Sequence, residues 1–330
     1  MRPSQVKQSL CHLVERKRPA FIWGPPGAGK SDVVADVAKS MKMELRDVRL
    51  NLMDPVDLKG FPVLRGTGAK QQMAFAAPDF LPTKGKGILF LDEMNQAPQS
   101  VQAAAYQLIL NRKLGDYELP AGWAVLAAGN RAGDRAVAHA QPSALANRFV
   151  HIDFEVDVED WYAWATANGI SDTMRAFIRF RPNLLHAFDP ATNPRAFPTP
   201  RSWVFVDDIS QSNLTNDTEF ELIKGTVGEG AASEYLAFAR MSKDLPSVDE
   251  ILMNPDSAPV PESPGGQYAV CTMMDKKATP NSLGRLLTYA ARLPVEFRVL
   301  FMRSAVIANR EITKTKDYVQ WVAANQDVLL

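Results

Sequence analysis

The stretch that most restricts this chain runs from Ala20 to Ser31, Ala-Phe-Ile-Trp-Gly-Pro-Pro-Gly-Ala-Gly-Lys-Ser. Ala20 to Trp23 is an apolar run that reads as a buried strand, and Ser31 to Ser40 has apolar residues at helical spacing. Between them, Gly24, Gly29, Lys30 and Ser31 complete the P-loop pattern of glycine, any four residues, then glycine, lysine and serine or threonine. A strand that breaks into a glycine loop and then a helix aims several backbone N–H groups at one point. Those donors and the helix N-terminus suit a polyphosphate. Gly24, Pro25, Pro26, Gly27, Ala28 and Gly29 form the expected cradle; Lys30 is expected to reach the β- and γ-phosphates, and the Ser31 hydroxyl to ligate Mg²⁺. A fortuitous glycine turn would need neither the strand before it nor the helix after it. The pattern implies a nucleoside triphosphate site on an α/β fold with a parallel sheet.

A second apolar strand, Gly87 to Leu91, ends in Asp92-Glu93. Open α/β sheets keep their ligands at the C-terminal ends of the strands, so these acids fall where the phosphates are expected. Asp92 suits Mg²⁺, and Glu93 suits the orientation of a water that attacks the γ-phosphate. Kinases of small molecules need no water-activating glutamate there, so Glu93 favours hydrolysis. A third apolar strand, Trp123 to Ala128, delivers Asn130 to the same edge, where a neutral amide can bond the water or the phosphate.

The other segments are read from periodicity. Gln5 to Glu15 is an amphipathic helix and Glu44 to Leu50 an alternating strand. Asp54-Pro55 is a helix cap followed by a first-turn proline. Gly66 to Ala77 fits a hairpin or surface insertion. Pro98 to Leu110 is a helix, Asn111 to Pro120 a hairpin, Pro142 to Asn147 a short helix and Phe149 to Phe154 a strand. From about Asp157 the pattern changes to helices joined by proline-rich turns, which gives an α/β unit over 1–155 and a helical one over 156–330. Pro255 to Gly266 reads as a loop or linker, and Trp161, Tyr162 and Trp164 as core of the helical part.

Composition narrows the classes. Lysine plus arginine and aspartate plus glutamate stand at 37 each, which argues against broad coating of nucleic acid. Two cysteines, Cys11 and Cys271, are too few for a disulfide framework or a zinc site and fit a reducing cytoplasm. Met1 to Arg18 carries no apolar signal core, and no run is long enough to cross a bilayer, so a soluble, cytoplasmic protein is expected. His12, His139, His151 and His186 lack metal-ligand spacing.

Taken in order, the P-loop, acidic pair, strand-end asparagine and trailing arginines resemble an AAA+ ATPase. The block Leu91-Asp-Glu-Met-Asn-Gln-Ala-Pro is similar to the signature of the MoxR branch, close to the dynein-related AAA group, with Gln96 where an arginine is usual. The resemblance covers roughly Ala20 to Trp203, and more weakly Gly225 to Leu245. It implies ATP as the nucleotide, Gly24 to Ser31 as Walker A, Asp92 and Glu93 as Walker B, and Asn130 as sensor 1. It further implies Arg148, in Leu-Ala-Asn-Arg-Phe, as the finger that reaches a neighbouring subunit, and Arg201, in Thr-Pro-Arg-Ser-Trp of a helical lid domain, as sensor 2. Arg131 and Arg135 are rivals of Arg148, and Arg195 of Arg201. The Asn111–Pro120 hairpin would be the pre-sensor insertion and the Gly66–Ala77 region an insertion lining a central pore.

The function implied is a homo-oligomeric ring, hexameric in this family, that hydrolyses ATP and remodels a protein partner. The partner class implied by the resemblance is a protein with a von Willebrand factor A domain. The alternative is a nucleic-acid motor or loader, for which Lys59, Arg65, Lys70, Arg112 and Lys113 lie in or beside the insertions. The zero net charge and the lack of an added helix-turn-helix weigh against it. A nucleotide switch without force would show binding with negligible turnover.

Overall fold

The strand Lys86–Asp92 shows how the sequence builds the sheet. Its side chains alternate, Ile88 and Phe90 entering one apolar cluster and Leu89 and Leu91 another, so both faces are covered. The computed structural model describes residues 1–68, 71–134, 146–192 and 194–325. They divide into two compact units, Met1–Asp157 with Asp189–Thr192, and Val158–Phe188 with Asn193–Leu330.

The first unit has strands β1 (Ala20–Trp23), β2 (Glu44–Arg49), β3 (Phe61–Arg65), β4 (Gln72–Ala76) and β5 (Lys86–Asp92). Further on come β6 (Lys113–Leu114), β7 (Tyr117–Glu118), β8 (Gly122–Gly129) and β9 (Val150–Asp153). Its α-helices are α1 (Pro3–Glu15), α2 (Lys30–Ser40), α3 (Pro55–Lys59) and α4 (Gln99–Asn111). Five strands make one parallel sheet in the order β2-β5-β8-β1-β9. The α/β parallel sheet followed by a helical region is the fold expected from the sequence.

One sheet face packs on α1, through Val6, Leu10 and Val14, and on α2, through Val34 and Val37. The other packs on α4 through Val101, Ala104, Ala105 and Leu108, the apolar stripe that made this segment readable as a helix. Each buried valine or leucine among these contributes about 1.5–3 kcal/mol. The two short hairpins stand apart from this sheet. β3 and β4 pair antiparallel, with the first arm starting at Phe61, earlier than the glycine-rich stretch indicates. β6 and β7 pair across Gly115-Asp116, as expected.

The second unit is helical: α5 (Val158–Ala167), α6 (Asp172–Phe180), α7 (Pro200–Ser210), α8 (Asn216–Val227) and α9 (Glu229–Lys243) lead to α10 (Val248–Met253), α11 (Pro264–Asp275), α12 (Leu283–Ala290), α13 (Val295–Ala308) and α14 (Lys316–Ala324). Phe177 of α6 meets the rings of Trp203, Tyr235 and Phe238 edge-on. Trp161 and Tyr162 are buried as expected of core residues, whereas Trp164 is half-buried.

One segment differs from its expected form. Pro264, Gly265 and Gly266, the end of the expected linker, are the first turn of α11, and Ser263 Oγ accepts from the Gly266 N–H at 3.2 Å. The glycine there serves close packing, because a Cβ on Gly266 would stand 2.7 Å from the Pro261 Cβ.

Candidate nucleotide site

Gly24 to Gly29 joins β1 to α2, and Gly27 and Gly29 hold φ of 71° and 96°, values that strain any residue with a Cβ. The loop therefore curls back, and Gly29 becomes the N-cap of α2 directly before Lys30. The Lys30 ammonium donates to the carbonyls of Gly24 at 2.7 Å and Pro25 at 2.9 Å, and to Asn130 Oδ1 at 2.9 Å. Ser31 Oγ donates to Asp92 Oδ2 at 2.7 Å. β5, β8 and β1 are neighbours in the parallel sheet, so their C-terminal ends bring Asp92, Asn130 and the glycine loop to one edge. The structure thus assembles Lys30, Ser31, Asp92 and Asn130, residues up to a hundred positions apart.

Glu93 follows at φ 54°, in the left-handed region that a non-glycine residue enters at a cost of about 1 kcal/mol or more. That turn redirects the chain at the end of β5; Glu93 is half-buried, and its N–H donates to the Asp92 carboxylate at 2.9 Å.

Two further residues belong to the site, and neither carried a sequence signal beyond its place in or near a quoted block. Buried Asn95 donates from Nδ2 to the Asn130 carbonyl at 2.8 Å. Gly129 makes room for it, since a Cβ there would lie 2.2 Å from Asn95 Oδ1. Asp47, on β2, has its carboxyl raised above the usual range by partial burial and by the charges of Asp92 and Glu93, against the lowering effect of Arg49. The strand edge is therefore a concentration of negative charge.

The donors next to the loop are oxygens, the Ser31 hydroxyl and the Asp92 carboxylate. That is the hard-ligand set Mg²⁺ uses when a substrate's phosphates complete its shell. Among the described residues no group of three or more His, Cys, Asp or Glu forms a metal cage.

The arginines are placed differently from one another. Arg148 is exposed in the turn before β9. Arg131 is tied within its own unit, its Nη2 donating to the Phe154 carbonyl at 2.9 Å and its Nε lying 3.8 Å from Asp153. Arg135, most of the expected helix Pro142–Asn147 and His139 lie outside the described residues. Arg201, in the first turn of α7, and Arg195 are both exposed in the second unit. Among the basic residues of the insertions, Arg112 donates to the carbonyls of Pro120 (2.9 Å) and Trp123 (2.8 Å), and Lys113 pairs with Glu118 at 3.4 Å. Lys59 and Arg65 are exposed, and Lys70 lies outside the described residues. The β3–β4 hairpin instead exposes apolar side chains: Phe61 is 72% exposed, Leu64 70% and Met73 67%. Among the described residues, no helix is long and apolar enough to cross a membrane.

Residues 20–155 match the model of the ATPase family associated with various cellular activities (AAA). No curated protein matches the chain. Among solved structures, the Thermotoga maritima RuvB Holliday junction branch migration motor is similar over 77% of this chain and 74% of its own, at 16% identity and a TM-score of 0.39. NtrX from Brucella abortus in complex with ATP is similar over 99% of this chain and 68% of its own, at 13% identity and a TM-score of 0.40.

Proposed function

We propose, for a chain whose residues 20–155 match the model of the AAA ATPase family, that it binds ATP with Mg²⁺, hydrolyses it, and uses the cycle to remodel a protein partner. The observation that carries this reading is the convergence of Lys30, Ser31, Asp92 and Asn130 at the C-terminal edge of the sheet. The backbone of Gly24 to Gly29 and the N-terminus of α2 hold the phosphates, and the Lys30 ammonium exchanges its present acceptors for the β- and γ-oxygens. Ser31 and Asp92 hold Mg²⁺, which when bound neutralises charge developing on the phosphates. Glu93 accepts a proton from the attacking water and fixes its line of approach. Asn130, held through its carbonyl by Asn95, presents its amide to the γ-phosphate or the water.

Arg148 and Arg201 are the proposed cations around the transferred phosphoryl group, Arg148 acting on the site of a neighbouring copy in a hexameric ring. The exposure of Arg148 and the tethering of Arg131 support that assignment. The MoxR-like block around Asp92 supports chaperone-type work, with a von Willebrand factor A domain protein as the partner class. Exposed Phe61, Leu64 and Met73 on the β3–β4 hairpin, and the internal pairing of Arg112 and Lys113, favour a protein over a nucleic acid as substrate.

The test is a trap. Glu93→Gln retains ATP binding and loses hydrolysis by about 10²–10⁴-fold. Isolated with ATP, it should hold a protein partner that survives nuclease treatment and leaves when ATP is withdrawn. Co-purifying nucleic acid whose digestion frees everything else would transfer the function to a nucleic-acid motor. Wild-type turnover in the Glu93→Gln variant would remove the glutamate from the mechanism.

A further inference from the structure

Arg148 stands at the third position of a turn. The Phe149 N–H donates to the Ala146 carbonyl at 3.2 Å, closing the turn over Asn147 and Arg148. After Arg148 the chain is anchored: Phe149 is buried with its ring edge-on to Phe21 at 5.4 Å, and the Val150 N–H donates to the Pro19 carbonyl at 2.9 Å. Before Arg148, the Ala146 carbonyl has a second partner, His151 Nε2 at 2.8 Å. The other ring nitrogen, Nδ1, lies 2.9 Å from Trp23 Nε1.

The protonation of this imidazole follows from its neighbours. An indole N–H can only donate, so Nδ1 accepts, the single ring proton sits on Nε2, and Nε2–H donates to Ala146. His151 is exposed and lies nearly parallel to the Trp23 ring, with centroids 6.1 Å apart and planes at 24°. Any flat or apolar side chain could make that stacking contact. What an imidazole adds is an acceptor and a donor facing opposite ways, one toward β1 and one toward the turn of Arg148. Trp23 is the last residue of β1 and directly precedes Gly24 of the phosphate loop.

We propose that His151 is a positioning residue for Arg148. It locks the carbonyl at the start of the arginine's turn to the strand that carries the chain's own phosphate loop. The proposal rests on the reading of Arg148 as the cation that acts on a neighbour's nucleotide. It adds that the direction in which the arginine leaves the surface is set by two hydrogen bonds, Trp23 to His151 and His151 to Ala146. The residue does not touch nucleotide, so its loss acts on turnover and leaves the chain's own affinity for ATP as it was.

The experiment is steady-state ATP hydrolysis by the full chain, comparing His151→Leu, His151→Gln, Arg148→Ala and the double variant His151→Leu/Arg148→Ala. Glutamine carries one acceptor and one donor at its end; leucine carries neither. His151→Leu should lower kcat by about tenfold or more, as a misplaced catalytic cation does, with KM for ATP unchanged. His151→Gln should restore most of that loss, and His151→Leu should cost nothing further once Arg148 is alanine. If Arg148→Ala lowers kcat and His151→Leu does not, the inference is wrong and the reading of Arg148 stands. If glutamine is as impaired as leucine, or KM rises with the fall in kcat, the residue is a packing element only and the inference is overturned. If Arg148→Ala itself hydrolyses ATP at the wild-type rate, the underlying reading fails and the inference falls with it.

Discussion

At the scale of single residues, the site depends on atoms placed within a few tenths of an ångström of one another. Gly129 is the sharpest case, because a Cβ would lie 2.2 Å from Asn95 Oδ1 and the asparagine would have to leave the Asn130 carbonyl. Gly129→Ala should therefore destabilise the chain by about 1–3 kcal/mol, read from the urea midpoint, and should lower turnover as well. An unchanged midpoint with unchanged turnover would mean that Asn95 has room to spare. This is also where legibility in the sequence divides. Lys30, Ser31 and Asp92 sit at fixed spacings or at the ends of unmistakable strands, so their meeting could be foreseen. Asn95 could not, because its contact is made to a backbone carbonyl from a short helical turn, and no spacing encodes that. His151 is equally silent: a lone histidine within a strand has no pattern until the Trp23 indole and the Ala146 carbonyl are seen on either side of it.

At the scale of elements, capping decides several boundaries in the helical unit. Ser171 caps α6 by accepting from the Met174 N–H at 3.2 Å, and its hydroxyl donates in turn to the buried carboxylate of Asp207 on α7. Ser171→Ala should cost about 1–2 kcal/mol in an unfolding titration. Ser171→Asp, ordinarily as good a cap as serine, should be worse than alanine because it sets a second carboxylate against Asp207. The reverse order would show that Asp207 is not confined. A helix with a clear apolar stripe, such as α4, is readable because 3.6-residue spacing survives in the sequence. The start of α11 is not, since its first turn is proline followed by two glycines, residues that usually mark a loop. Ser263 as cap and close packing against Pro261 overrule that local preference.

At the scale of the molecule, each unit has its own source of cohesion. The first is held by two apolar layers on a parallel sheet. The second encloses a polar knot in which Arg175, fully buried, bonds Asp172 at 2.7 Å and Asp275 at 3.4 Å, while the Tyr162 hydroxyl donates to Asp275. Arg179 adds Glu159 at 2.8 Å and the hydroxyl of Ser304, and its guanidinium lies over the Tyr162 ring. Four helices, α5, α6, α11 and α13, are thereby joined by side chains. Asp275→Ala leaves the Arg175 charge buried with less to balance it and should cost about 3–5 kcal/mol in chemical denaturation. Replacing Arg175 and Asp275 together by apolar residues of similar size should recover most of that loss. If the single and double variants unfold alike, the knot is not what holds these helices.

One of the two edge strands of the sheet has a consequence for how copies of the chain can meet. β2 bears Glu44, Arg46, Asp47 and Arg49, with Glu44 and Arg46 paired at 2.7 Å. A strand from another molecule that tried to continue the sheet there would have to strip water from a row of fixed charges, which is how natural sheets discourage extension. Crowding such molecules together therefore offers no growing edge on that side. On that side, any meeting of copies is left to side chains and shape rather than to an open backbone ladder.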